Sequence, residues 1–145
     1  MPAKTAMISA TIEIAAAPEQ VWAVLADLAS YPDWNPVVRK ASGQLTPGNR
    51  ITITSTQPVT GHTMTVKVKV LTAEPAAELR WGSSVLGLMT GEHSFILSPT
   101  ASGTQLRQTQ TFRGLFTRFP PKTIGRIQAS FEAINQAIRE RAEDH

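Results

Sequence analysis

The chain has 145 residues, 41% hydrophobic and 17% charged, with a net charge of +3 and no cysteine. That length suits one domain around one core, expected to span 1–145. The missing cysteines exclude a disulfide scaffold, a thiolate metal site and a thiol nucleophile. The modest charge does not by itself point to nucleic acid. No apolar run reaches the ~18 residues of a membrane span. The opening MPAKTAMISA lacks the apolar stretch of a secretion signal, so a cytoplasmic protein is expected.

The chain begins with alternation: Ile8, Ala10, Ile12 and Ile14 against Ser9, Thr11 and Glu13 predict a half-buried strand. Pro18 then suits a first helical turn, where its missing N–H costs nothing. Val21, Trp22, Leu25 and Leu28 follow at helical spacing. Ala17 is a poor N-cap, worth about 1 kcal/mol against Ser or Asp. Ser30 to Pro36 holds two prolines and reads as a turn or short irregular helix.

From Val37 to Phe112 the pattern is β. Arg50–Thr56, Thr63–Val70, Glu78–Ser84, Glu92–Leu97 and Thr104–Phe112 are candidate strands, and Gly61, Pro75, Pro99 and Gly103 punctuate them. Such short connections predict an antiparallel meander with one covered face. After Pro120-Pro121 the period changes. Ile124, Ile127, Phe131, Ile134 and Ile138 step by three and four, predicting an amphipathic helix of about 20 residues. The fold class is therefore α+β: a curved antiparallel sheet of about six or seven strands wrapped around a long C-terminal helix, with two short helices after the first strand.

Several local strings carry a resemblance. Ala17-Pro18-Glu19-Gln20-Val21-Trp22 and Asp27-Leu28-Ala29-Ser30-Tyr31-Pro32-Asp33-Trp34-Asn35-Pro36 are joined later by Gly91-Glu92-His93-Ser94-Phe95 and Thr109-Gln110-Thr111-Phe112-Arg113-Gly114. Together they resemble the SRPBCC superfamily, the START-like and polyketide-cyclase/dehydrase-like helix-grip proteins, from about Ile8 to Ala142. The resemblance implies a deep cavity between sheet and long helix that takes a small hydrophobic or amphipathic molecule, whether lipid, aromatic or polyketide-like. It does not fix an activity, because the superfamily includes both carriers and aromatase/cyclases. Gln110 stands where the family's late-strand motif commonly carries Glu.

Strand parity supplies a lining, since residues of equal parity share a face. The apolar face carries Met64, Val66, Val68, Leu79, Trp81, Ser83, His93, Phe95, Leu97, Leu106, Gln108, Gln110 and Phe112. The long helix adds Ile127, Gln128, Phe131 and Ile134. Trp34 between its prolines and Met89 in an apolar loop stand at the expected cavity mouth. Apolar walls with few polar groups are what a small-molecule site needs. His93 is the sharpest candidate, either hydrogen-bonding a ligand, shuttling a proton or resting as a core histidine paired to glutamine. Trp22, Tyr31 and Trp34 read as clamps holding the short helices on the sheet, with Trp34 the one of the three best placed to touch a ligand instead.

Other chemistries fail. His62, His93 and His145 have no metal-ligand spacing, and neither a nucleophile elbow, a phosphate loop nor a dinucleotide fingerprint is present, so no metal or cofactor is expected. No carboxylate shares the parity of His93, which leaves enzymatic acid–base work without a second group. A ligand-binding protein is the first expectation. A cyclase/dehydrase using His93 and an interaction module or homodimer using Leu115, Phe116 and Phe119 are the alternatives. Arg107, Arg113, Arg118, Lys122 and Arg126 run without an intervening acid. They read as a solvated basic face, or as the seat of an anionic head group or acidic partner. Nucleic acid is not expected, since basic–aromatic stacking motifs are missing.

Overall fold

The computed structural model describes residues 4–57, 60–85, 89–114 and 120–144. The first strand, β1 (Lys4–Ile14), buries Ile8, Ala10 and Ile14 and exposes Met7, Thr11 and Glu13, as alternation requires. Helix α1 (Pro18–Ala26) follows. Its weak N-cap is offset from within the helix, because Gln20 Oε1 accepts the Ala17 N–H at 3.0 Å. A 3-10 turn (Leu28–Ser30) leads into the single turn α2 (Tyr31–Trp34). The buried Tyr31 hydroxyl donates to the Leu25 carbonyl at 2.6 Å, satisfying one acceptor that the end of α1 leaves open. Burial, and then the nearby Asp27, push the Tyr31 phenol pKa upward.

The chain then builds β2 (Val38–Ser42), β3 (Arg50–Thr56), β4 (Thr63–Glu74), β5 (Glu78–Val85), β6 (Met89–Thr100) and β7 (Gly103–Gly114). Asn35 Oδ1 accepts the N–H groups of Val37 and Val38 and so starts β2. These strands and β1 form one seven-stranded antiparallel sheet in the order β1-β7-β6-β5-β4-β3-β2. The short β2 did not stand out in the sequence because only Ala41 of its five residues is buried.

The 23-residue α3 (Pro121–Glu143) closes the fold. It is moored along the free edge of β1, which blunts an otherwise unpaired strand. Gln128 Nε2 donates to the Ser9 carbonyl at 2.9 Å, and Glu143 accepts the Ala15 N–H at 2.8 Å. Ile134, Ile138 and Ala142 sink into the main core with Val21, Leu25, Ile51, Val70, Leu79 and Leu106. This is the helix-grip arrangement: a curled sheet, a long C-terminal helix, and short helices after the first strand. Among the described residues no helix is long and apolar enough to cross a membrane.

Two turns depend on unusual backbone. Gly103 has φ +152°, and a Cβ there would stand 2.2 Å from the Ile14 carbonyl oxygen, so only glycine lets the β6–β7 turn approach β1. Beside it, Thr104 donates to the Ala16 carbonyl at 2.7 Å. Ala76, in the β4–β5 turn, takes φ +62° without being glycine.

Candidate functional site

Register sorts the inward side chains into transverse rows. Ile12, Leu106 and Leu97 form the lowest row, and Ala10, Gln108, Phe95 and Leu79 the next. Above them lie Ile8, Gln110, His93, Trp81 and Val70, and above those Ala6, Phe112, Gly91 and Ser83. The two lower rows are packed solid. Leu106 and Gln108 expose 0% of their surface, and a side chain beside a void of water size would keep some. Phe95, Leu106 and Ile134, expected to line a cavity, are therefore part of the buried foundation beneath it, with Gln108 locked among them, and Val68, though level with Ser83, is buried in the main core as well.

The row of His93 is the boundary. Trp81 stacks on His93 at 5.6 Å between centroids, Phe95 lies at 4.9 Å, and Phe131 meets it edge-on at 5.1 Å. Both ring nitrogens face amide oxygens: Nδ1 is 3.0 Å from Gln110 Oε1 and Nε2 is 3.0 Å from Gln108 Oε1. Gln108 is oriented by its own amide, which donates to the Phe131 carbonyl at 3.1 Å and to Asn135 Oδ1 at 2.8 Å. A neutral imidazole has one N–H to give. Because Gln108 must present its oxygen, a neutral ring carries that proton on Nε2, and Nδ1 then faces Gln110 Oε1 without a donor, since the Gln110 amide nitrogen donates to the Thr111 carbonyl at 3.1 Å. Burial pushes the His93 pKa down to about 4 and outweighs the two amide oxygens, which pull the other way.

Above this floor the apolar face is open. Met64 and Val66 share the face of the buried Val68 and Val70, yet they are 51% and 36% exposed. On α3, Ile124 is 42% exposed, although it continues the stripe of Ile127 and Phe131. Phe112 and Ile127 are half-buried and pack beside Ile8, Ala10 and Phe131. Gly91 adds room because it brings no side chain. A Cβ there would lie 2.9 Å from the Gln110 amide nitrogen. Among the described residues the result is an open apolar bowl floored by Trp81, His93 and Phe131, where a deep internal cavity was expected.

Three expected members need correction or placement. Ser83 lies in the top row and is exposed. Trp34 is at the other end of α3: its ring meets Tyr31 edge-on at 5.0 Å and borders a 270 Å³ recess with Val24, Asp27, Arg141 and Ala142. The helical turn Tyr31–Trp34 swings it there by directing Tyr31 into the core. Met89 begins β6, but its side chain, like Leu115, Phe116, Arg118, Phe119 and His145, lies outside the described residues. Gln128 serves the edge of β1 rather than the bowl.

The sequence reading overlooked Asn135. It is 2% exposed and anchors Gln108, and through it His93. Its spacing was a usable signal: Phe131, Asn135 and Ile138 sit at i, i+4 and i+7, a polar residue inside an apolar stripe. Among the described residues no three metal-ligating side chains cluster.

Residues 5–143 match the family described as polyketide cyclase / dehydrase and lipid transport. No curated protein matches the chain. Several solved structures share its fold. A START superfamily protein from Mycobacterium smegmatis has 18% identity and a TM-score of 0.76 over 95% of this chain and 97% of its own. Ara h 8.0201 has 14% identity and a TM-score of 0.74 over 98% and 100%. The di-domain ARO/CYC StfQ, from the steffimycin biosynthetic pathway, has 14% identity and a TM-score of 0.75 over 97% of this chain and 52% of that one. At these identities the likeness concerns the fold alone.

Proposed function

We propose, on the premise that this chain belongs to the polyketide cyclase / dehydrase and lipid transport family, that it binds a small hydrophobic or amphipathic molecule in the bowl above His93. The observation that carries this is the exposure of Met64, Val66 and Ile124 on surfaces that elsewhere form the core. Being between a third and a half exposed, such side chains forgo roughly 0.5–1.5 kcal/mol each, which an apolar guest recovers. Trp81, His93, Phe112, Ile127 and Phe131 are the proposed contacts, with Gln110 and, above it, Ser83 the polar groups beside them.

His93 is read as a floor residue and not as an acid–base catalyst. Both its nitrogens are already directed at glutamines, and no carboxylate is among its hydrogen-bond partners. Titration with a long-chain fatty acid and with a polycyclic aromatic acid, following tryptophan emission, tests the proposal. Saturable binding is expected for at least one of them. It should weaken on the order of tenfold or more in Val66→Glu, where a charge meets the guest. Absence of saturation with both, or binding indifferent to Val66→Glu and Met64→Glu, would overturn it.

A further inference from the structure

The opposite face of the sheet holds a recess of about 550 Å³ crossing β3 to β7. Register accounts for its shape. Arg50, Lys69, Gly82, Glu92 and Thr111 lie in one outward row. The next row holds Ser84, Thr90 and Arg113, with Lys67 two residues from Lys69 on the same face. The centre is low where Ser84 and Thr90 are small, while the side chains of Leu71 and Glu92 lie over Gly82. Cations stand on its banks: Arg50, Lys67 and Lys69 on one side, Arg113 on the other.

This arrangement costs the fold something. Arg50 and Lys69 are direct cross-strand partners, and like charges placed opposite one another destabilise a sheet. None of the four cations lies within ion-pair distance of a carboxylate among the described residues, although Glu92 shares the groove. A multiply charged anion between β3 and β4 would turn that repulsion into attraction, with the Arg50 guanidinium able to bind phosphate oxygens in pairs.

We propose that this groove is a second binding site, taking a soluble small molecule with clustered phosphate groups, held by Arg50, Lys67 and Lys69 and reached from the far bank by Arg113. A concave volume of this size matches a small ligand better than a bilayer surface, which cannot enter it. It presents no aromatic ring on which nucleic-acid bases would stack.

Calorimetric titration of the whole protein with inorganic tripolyphosphate at low ionic strength tests the site. One equivalent should bind, more weakly as salt rises. Arg50→Gln, Lys67→Gln and Lys69→Gln should each weaken binding by roughly two- to fivefold, the scale of one exposed charge contact. Glu92→Gln should strengthen it. Without ligand, Lys69→Gln should melt slightly higher than the wild type, because the repulsion with Arg50 is gone. No saturable heat, or heat indifferent to the substitutions at Arg50 and Lys69, overturns the proposal. So does tight sedimentation with anionic phosphatidylserine vesicles that tripolyphosphate fails to displace. Fatty-acid binding in the same variants should be unchanged, so the two sites fail independently.

Discussion

His93 couples the floor of the bowl to pH, and the coupling has a size. In the unfolded chain its imidazole titrates near 6.5, whereas burial holds the folded pKa at about 4. Above pH 6.5 both states are neutral and the residue contributes no pH dependence. As pH falls from 6.5 towards 4, the unfolded state takes up a proton that the folded state refuses, so stability is lost throughout that window. At about 1.4 kcal/mol per pH unit, the loss is about 2 kcal/mol by pH 5 and approaches 3 kcal/mol at pH 4. These are upper figures, because the imidazole side chain is not wholly buried and the two amide oxygens favour its charged form. Urea unfolding at pH 7.5, 6 and 5 should show the decline in the wild type. His93→Gln keeps a hydrogen-bonding side chain without a proton to gain, and should flatten that part of the slope. Nitrogen NMR on the native protein should find a neutral ring at pH 6 with its proton on Nε2. An imidazolium persisting above pH 6.5 would refute the reasoning: it would mean that the two glutamine oxygens dominate burial, and the pH slope of the wild type would then reverse its sign.

Other consequences concern stability and the setting of His93. Gly103→Ala should cost about 3 kcal/mol or more, read by urea unfolding, because the new Cβ meets the Ile14 carbonyl and the glycine φ at once. Ala76→Gly should do the opposite, gaining roughly 0.5–1 kcal/mol in the same assay by relieving a left-handed alanine. Tyr31→Phe should lose about 1–2 kcal/mol, since the Leu25 carbonyl keeps its burial and loses its donor. Gly91→Ala should push the Gln110 amide away from His93 Nδ1, shifting the Nδ1 resonance while leaving the Nε2 proton and, by circular dichroism, the sheet in place.

Much of this was legible from residue order. The alternation Ile8-Ala10-Ile12-Ile14, the Thr63–Val70 pattern, the turn residues and the stripe from Ile124 to Ile138 determined strands, meander, helix and the inward face, because each depends only on local periodicity. Parity also brought His93, Gln108 and Gln110 to one side. What parity cannot carry is height along a strand. Val66 and Val68 are alike in sequence, yet one is a third exposed and the other buried, because Val68 belongs to the main core with Ile51, Ile53 and Val70 and Val66 lies one step beyond it. Trp34 was placed by a helical turn that aims Tyr31 inward, and Asn135 acquired its role only when α3 lay against β7. The cation row was equally hidden: Arg50 and Lys69 are nineteen positions apart, and only the β3–β4 register sets them opposite each other. Local physics chooses each element and its apolar side; long-range pairing decides which of those side chains meet, and which are left open to a guest.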